Sequence, residues 1–159
     1  MASKCKVRYR LIDHTADCGL QVTGSDIKNL FENAAYAMFD LIADIGTGTP
    51  RGHHRPLESK TITVDGSDWP DLMVNWLREL LYFWAGEDRL MITVDITSIL
   101  EFRLSAGVTF DSFDPHRHEI KKEIKAVTYH RIDVRQTIDS HHEDTPDGTA
   151  WESTIIFDV

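Results

Sequence analysis

The sequence predicts an α+β fold, a single domain over residues 1–159 in which mixed or antiparallel sheets pack against two amphipathic helices. Two stretches, well separated in the chain, carry apolar residues at helical spacing. Short strand-like runs occur in pairs between them rather than in a regular β–α–β succession. A chain of 159 residues is typically one domain, and at this size it can bury roughly 70% of its unfolded surface.

The first helix is predicted from a face that repeats every three to four residues between Ile27 and Ile42. Ser25 is a plausible N-cap, but Lys28 follows it at the third position, so that pair forms no capping box. The face consists of Ile27, Leu30, Phe31, Ala34, Ala35, Met38, Phe39 and Ile42.

The second helix is predicted between Trp69 and Trp84, with Ser67 or Asp68 as its cap and Gly86 at its exit. Its tryptophans could mark a stripe that binds a partner. Core packing is the favoured interpretation because they share one face with the leucines. The face consists of Trp69, Leu72, Met73, Trp76, Leu77, Leu80, Leu81 and Trp84.

The rest of the sequence consists mainly of strand-like runs and polar loops, and no internal repeat is evident. In the first run, apolar or aromatic residues alternate with Arg8 and Arg10, as in a half-buried strand. The predicted strands cover residues 7–12, 19–22, 61–64, 91–96, 101–104, 123–135 and 151–159.

Composition limits the class of partner and the compartment. A net charge of −9 argues against a broad phosphate-binding face, so stable direct binding of nucleic acid is not expected. The charge fits a basic protein partner, or solubility alone. Two cysteines do not make a disulfide framework. The start of the chain lacks the apolar core of a signal peptide, and no run is long enough to span a membrane. A cytoplasmic location is expected.

The densest candidate chemistry is the segment Asp13-His14-Thr15-Ala16-Asp17-Cys18-Gly19, read together with Asp158 and Val159 at the end of the sequence. If Val159 is the natural terminus, it adds a main-chain carboxylate to the side chains of Asp13, Asp17 and Asp158. Clustered carboxylates repel one another unless a cation lies among them, and a hard divalent ion is the usual one. The alternative is that Asp13 and Asp17 are turn residues that bind nearby backbone N–H groups.

Other motifs point less clearly to function. The histidine groups His53-His54, His116-Arg117-His118 and His141-His142 could bind zinc, but they lie in polar, turn-rich segments and are interpreted as solvated. Cys18 lacks a predicted cation that would stabilise a thiolate. Lys125 alternates with Val127 and Tyr129, which is typical of a lysine whose stem covers apolar neighbours. Its charge could instead serve a site at the end of that face.

Four motifs resemble the archease family. They occur in the order in which that family has them, and together they span nearly the whole chain. The family also fits the ending Ile156-Phe157-Asp158-Val159. The three internal motifs are Leu11-Ile12-Asp13-His14-Thr15-Ala16-Asp17, Leu30-Phe31-Glu32-Asn33-Ala34-Ala35-Tyr36-Ala37-Met38-Phe39-Asp40 and Glu123-Ile124-Lys125-Ala126-Val127-Thr128-Tyr129-His130.

The resemblance implies a non-enzymatic activator of an RtcB-type RNA ligase, which joins RNA ends in tRNA splicing and repair. Such an activator promotes formation of the ligase–guanylate intermediate and repeated turnover. The resemblance also implies a divalent cation, typically calcium, at Asp17, Asp158 and the main-chain carboxylate of Val159. It implies a functional role for Lys125, whereas Asp13 and His14 are expected to support the turn.

Two other functions remain open at the level of the sequence. A stand-alone metal-dependent phosphoesterase could use the same carboxylates, but it would need its own acid or base, and His14 is the obvious candidate. A chaperone-like binding module for an RNA-modifying enzyme would use the metal only as a structural element.

Overall fold

The computed structural model describes residues 9–13, 17–46, 56–138 and 148–159, with the backbone alone at Asp13. The predicted α+β class is confirmed, and every recorded strand pair is antiparallel. The elements are β1 (Tyr9–Asp13), β2 (Asp17–Gly24), α1 (Ile27–Ile42), β3 (Ala43–Asp44), β4 (Glu58–Asp65), α2 (Trp69–Glu87), β5 (Arg89–Leu100), β6 (Arg103–Ser112), β7 (Glu119–Ile120), β8 (Ala126–Val127), β9 (Asp133–Ile138) and β10 (Thr149–Asp158).

Two larger sheets and one short ribbon organise these strands. The first sheet has the order β1-β2-β10-β8, and β9 pairs with the same edge of β10 as β8 does. The second sheet has the order β4-β6-β5, and β3 pairs with β7. The chain therefore brings its N-terminal strands against its last strand, β10, at the centre of the first sheet.

The core lies between the sheets and the two helices. Trp76 is fully buried, and its indole N–H donates to the carbonyl of Phe31 over 3.0 Å, which joins α2 to α1. Trp69 and Trp84 are half-buried and pack against the same core. The core interpretation of the tryptophan face is therefore confirmed. Neither α1 nor α2, the helices of the described residues, has the length and apolarity needed to cross a membrane.

Both helices begin with the same Gly-Ser-Asp arrangement, although no internal repeat was predicted from the sequence. Asp26 caps α1 by accepting the Asn29 N–H over 2.7 Å, and Asn29 in return accepts the Ser25 N–H over 3.0 Å. The N-cap is therefore Asp26 and not Ser25. A carboxylate that accepts an orphan N–H in the first turn stabilises a helix start.

The start of α2 repeats this arrangement 42 positions later, since Gly24 corresponds to Gly66. Asp68 accepts the Asp71 N–H over 2.9 Å, and Asp71 accepts the Ser67 N–H over 2.8 Å. A further pair matches as well, because Asn33 and Asn75 each donate over 2.9 Å to the carbonyl of the residue before the glycine. The chain thus contains a short internal repeat at its two strand-to-helix junctions.

Three predicted boundaries are wrong for local reasons. Glu101 and Phe102 form the turn between β5 and β6, both with left-handed φ (52° and 59°), so residue 101 does not start a strand. The predicted strand 123–135 is broken by a turn in which the Ile132 N–H donates to the Tyr129 carbonyl over 3.3 Å. Gly86 lies inside the last turn of α2, and the left-handed residue that ends the helix is Asp88.

Candidate metal and partner site

Asp17 and Asp158 lie directly opposite each other on neighbouring strands. Asp17 begins β2 and Asp158 ends β10, and the antiparallel register pairs the two residues. Their neighbours Cys18 and Phe157 pair in the same way and are buried in the core. Because side chains alternate along a strand, both aspartates lie on the opposite face, where they are exposed. Opposed Cβ atoms in such a pair are about 5 Å apart.

The chain around Lys125 meets the same end of the sheet. The Lys125 N–H donates to the Asp158 carbonyl over 2.8 Å, and Ala126 pairs with Asp158 from the other side of β10. The Lys125 side chain is exposed and forms no ion pair with the described carboxylates. Three distant parts of the chain therefore converge at Asp17, Lys125 and Asp158.

The remaining predicted site residues are only partly covered by the structure. Val159 follows Asp158, is half-buried, and packs its side chain against the core. Asp13 pairs through its backbone with Cys18 at the end of β1. The side chain of Asp13 and all of His14 lie outside the described residues, so their supporting roles stay predictions.

The opposed carboxylates of Asp17 and Asp158 are candidate ligands for a hard divalent cation. Two like charges placed opposite each other destabilise a sheet, and a divalent ion between them would remove that cost. The described part of the chain contains no group of three His, Cys, Asp or Glu side chains able to hold a metal. The two opposed carboxylates are oxygen ligands of the kind calcium binds, but they supply only part of the six to eight it takes.

Beside this edge runs a shallow groove between α2 and β8, with a volume of about 240 Å³. Lys125 lines the groove, and its N–H binds the Asp158 carbonyl, so the groove and the aspartate pair lie at the same end of the sheet. The lining residues are Arg78, Leu81, Tyr82, Ala85, Lys125, Ala126 and Val127.

A chain of contacts holds the groove together. The Asp71 carboxylate, which also accepts the Ser67 N–H at the start of α2, accepts the Tyr129 hydroxyl over 2.7 Å. The guanidinium of Arg78 lies 4.8 Å from the centre of the Tyr129 ring, and its Nε–H donates to the Val127 carbonyl over 3.1 Å. The Ser67 N–H, followed by the Tyr129 hydroxyl, holds the pKa of Asp71 below its usual range. The carboxylate thus stays charged and keeps its acceptor role.

The other candidate motifs do not join this site. Cys18 is buried opposite Phe157, so it is not available as a nucleophile. His118 is buried, with 5% of its surface exposed, so interpreting it as solvated is wrong. His53-His54 and His141-His142 lie outside the described residues.

Sequence reasoning missed Arg78, Tyr82 and Asp71 as residues near the site. Arg78 and Tyr82 are polar or aromatic positions on the exposed side of α2, and nothing in their spacing distinguishes them from an ordinary solvated face. The available signal was the repeated Gly-Ser-Asp, which would have identified Asp71 as the counterpart of Asn29.

The chain is similar in sequence to known proteins of one family. Residues 9–159 match the Archease protein family (MTH1598/TM1083). A protein archease of Archaeoglobus fulgidus is 33% identical over 137 residues, covering 82% of this chain and 91% of that relative. A protein archease of Pyrococcus furiosus is 31% identical over 155 residues, covering 92% and 95%.

Solved structures agree with the fold. The solution structure of Methanobacterium thermoautotrophicum protein 1598 has a TM-score of 0.63 and 26% identity, covering 95% of this chain and 98% of that one. The crystal structure of an archease from Thermotoga maritima, described as a possible chaperone, has a TM-score of 0.52 and 19% identity, covering 93% and 94%. The family model and these relatives together show that the chain belongs to the archease family.

Proposed function

We propose that this chain is a cytoplasmic, non-enzymatic activator of an RtcB-type RNA ligase in tRNA splicing and RNA repair. It would promote guanylylation of the ligase and allow repeated turnover. Membership of the archease family supports the proposal. The observation that carries it is the convergence of Asp17, Asp158 and Lys125 at one exposed end of the first sheet. An exposed end of a sheet can reach into the active site of a partner.

Calcium is the proposed cofactor, held by Asp17, Asp158 and the main-chain carboxylate of Val159. Calcium takes six to eight oxygen ligands, so water, backbone carbonyls or groups of the ligase would complete the set. When bound, the ion would turn an acidic edge into one that accepts phosphate oxygens. The protein's own contribution is to keep the two aspartates opposed, which the buried Cys18–Phe157 pair beneath them supports.

Lys125 is the proposed functional cation at this edge. Its backbone is fixed to Asp158, whereas its side chain is exposed and carries no ion pair with a described carboxylate. A fixed stem with a free ammonium can contact a phosphate or an acidic group of the ligase active site. Lys28, exposed in the first turn of α1 and without an ion pair to a described carboxylate, offers a matched control, because α1 follows Gly24 at the end of β2 opposite to Asp17.

The test is an assay of guanylate transfer from GTP to the ligase, run with wild type, Lys125→Ala and Lys28→Ala. We expect Lys125→Ala to lower stimulation at least about tenfold with an unchanged melting temperature, and Lys28→Ala to match wild type. Equal stimulation by all three proteins would reject the role of Lys125. Turnover of phosphoester substrates by the protein alone would instead favour a stand-alone hydrolase.

A further inference from the structure

We infer that the groove between α2 and β8 is the docking site for an acidic, partly apolar segment of the partner protein. The inference deepens the proposed function, on which it rests for the identity of the partner. The groove itself is defined by contacts between residues of this chain. Its lining combines an apolar floor with two cations and an exposed aromatic ring, which is a composition typical of interface hot spots rather than of solvated surface.

The groove carries positive charge in a protein that is negatively charged as a whole. The protein carries a net charge of −9, yet Arg78 and Lys125 line this groove together. Neither forms an ion pair with a carboxylate of the described residues. Of the six other described arginines, four lie within 4.0 Å of a described carboxylate, namely Arg89, Arg103, Arg117 and Arg135. Two cations that form no ion pair with a described carboxylate are therefore available to a carboxylate of another molecule.

The side chain of Arg78 is held in place before any partner binds. Arg78 is held by the Val127 carbonyl and the ring of Tyr129, and Tyr129 is held by Asp71. An arginine whose stem is already ordered loses less conformational entropy when it binds an anion. The equivalent of Asp71 at the start of α1 is the neutral Asn29, which accepts from Ser25 in the same way. Only the α2 copy of the repeat carries the charge, and only this copy binds Tyr129.

The groove also has an exposed aromatic ring, that of Tyr82. Tyr82 is 58% exposed at the rim of the groove. A Cβ added to Gly86 would lie 3.3 Å from Cε2 of that ring, so the glycine leaves the space that the ring occupies. Glycine inside a helix is less favourable than alanine. α2 thus has a residue that is unfavourable in a helix, Gly86, at the position where it leaves room for the Tyr82 ring.

The form of the groove selects a protein segment rather than a nucleotide. It is open and shallow, and its floor of Leu81, Ala85 and Val127 is apolar. Small ligands typically bind in concave sites that enclose most of their surface. A segment with a carboxylate beside an aliphatic side chain would satisfy both the cations and the floor. Because the Lys125 N–H binds the Asp158 carbonyl, a segment in the groove lies at the same end of the sheet as the two aspartates.

The first test needs no ligase. Backbone amide resonances of Tyr82, Ala85 and Lys125 are followed while three probes are added separately: a peptide of alternating glutamate and leucine, one of alternating lysine and leucine, and GTP. We expect saturable shifts with the glutamate peptide alone. Absence of shifts with that peptide would overturn the inference whatever the ligase does. Shifts with GTP alone would assign the groove to a nucleotide and overturn it as well.

The second test uses Ala85, an exposed floor residue that accepts either charge on a helix. Affinity for the nucleotide-free ligase is measured for wild type, Ala85→Glu and Ala85→Lys, which are similar in length. An acidic occupant predicts that Ala85→Glu weakens binding at least about tenfold while Ala85→Lys changes it much less. Equal weakening by both would mean a steric effect and would contradict the inference. Failure of wild type to bind the ligase would instead reject the proposed function, and the peptide result would still decide the groove.

Discussion

His118 joins the loop after β6 to the core through both ring nitrogens. Its Nδ1 accepts the Asp114 N–H over 3.0 Å, and its Nε2 lies 3.5 Å from Oδ2 of Asp111, a carboxylate with only 6% of its surface exposed. Arg117 binds the same carboxylate over 3.0 and 3.3 Å. Burial, followed by the nearby Arg117 charge, lowers the pKa of His118 below its usual value of 6.5.

This environment predicts a pH-dependent stability. Because the pKa of His118 is lower in the folded state, the contribution is fully present above about pH 6.5 and is lost as the pH falls through the folded value. His118→Asn keeps an acceptor for the Asp114 N–H but does not titrate. We expect the variant to cost about 1–2 kcal/mol at pH 7 and the difference from wild type to shrink towards pH 5. A constant difference in unfolding free energy across that range would contradict this role.

Burial at single positions was predictable only where the residue type is apolar. Trp76 shares a face with leucines, and its place in the core followed from that spacing. His118 lies in the polar run 114–118. No local sequence pattern indicates that Asp111, seven residues earlier, is buried beneath it. The partners of a buried polar residue come from tertiary structure, so residue types alone did not identify them.

The two strand-to-helix junctions depend on glycines that allow close approach of the backbone. A Cβ on Gly24 would lie 2.4 Å from the Leu30 nitrogen, and one on Gly66 would lie 2.5 Å from the Leu72 nitrogen. Both atoms belong to the helix backbone, which cannot move without shifting the cap. The first turn of each helix therefore packs directly on the end of the preceding strand.

The matched control for these junctions is Gly107 in the middle of β6, where an added Cβ would meet nothing within 4 Å. We expect Gly24→Ala and Gly66→Ala each to lower the free energy of unfolding by about 3 kcal/mol or more. Gly107→Ala should leave it unchanged or raise it by about 0.5 kcal/mol, because alanine restricts the unfolded chain. Chemical denaturation of the three variants gives the comparison. Similar losses in all three would show that close approach is not the reason for the junction glycines.

Elements were predicted well where periodicity is long and poorly where a turn lacks its usual residues. Both helices follow from faces of four turns or more, and their bounds agree closely. The β5–β6 turn uses Glu101 and Phe102 at left-handed φ, where asparagine and glycine are the usual signal. Phe102 is held there by packing on Trp69, with ring centres 4.8 Å apart. Tertiary packing thus overrides the turn preference.

At the scale of the whole molecule, the order of strands in the first sheet creates the site. β10 lies between β2 and β8, so residue 17 meets residues 125 and 158 although more than a hundred positions of the chain separate it from both. Family resemblance suggested these residues, but the sequence contains no pattern that pairs the end of the chain with its beginning. The groove beside α2 depends on the same topology and was not predicted.

The pairing of Asp17 with Asp158 makes the central claim measurable by calorimetric titration with calcium. Wild type should bind one ion, and Asp17→Asn and Asp158→Asn should each weaken binding at least about tenfold, because each removes one of few anionic ligands. Asp95→Asn, an exposed aspartate on β5 in the other sheet, should titrate as wild type does. Calcium affinity unchanged in both site variants, or no binding by wild type, would contradict the claim that the opposed aspartates form a cation site.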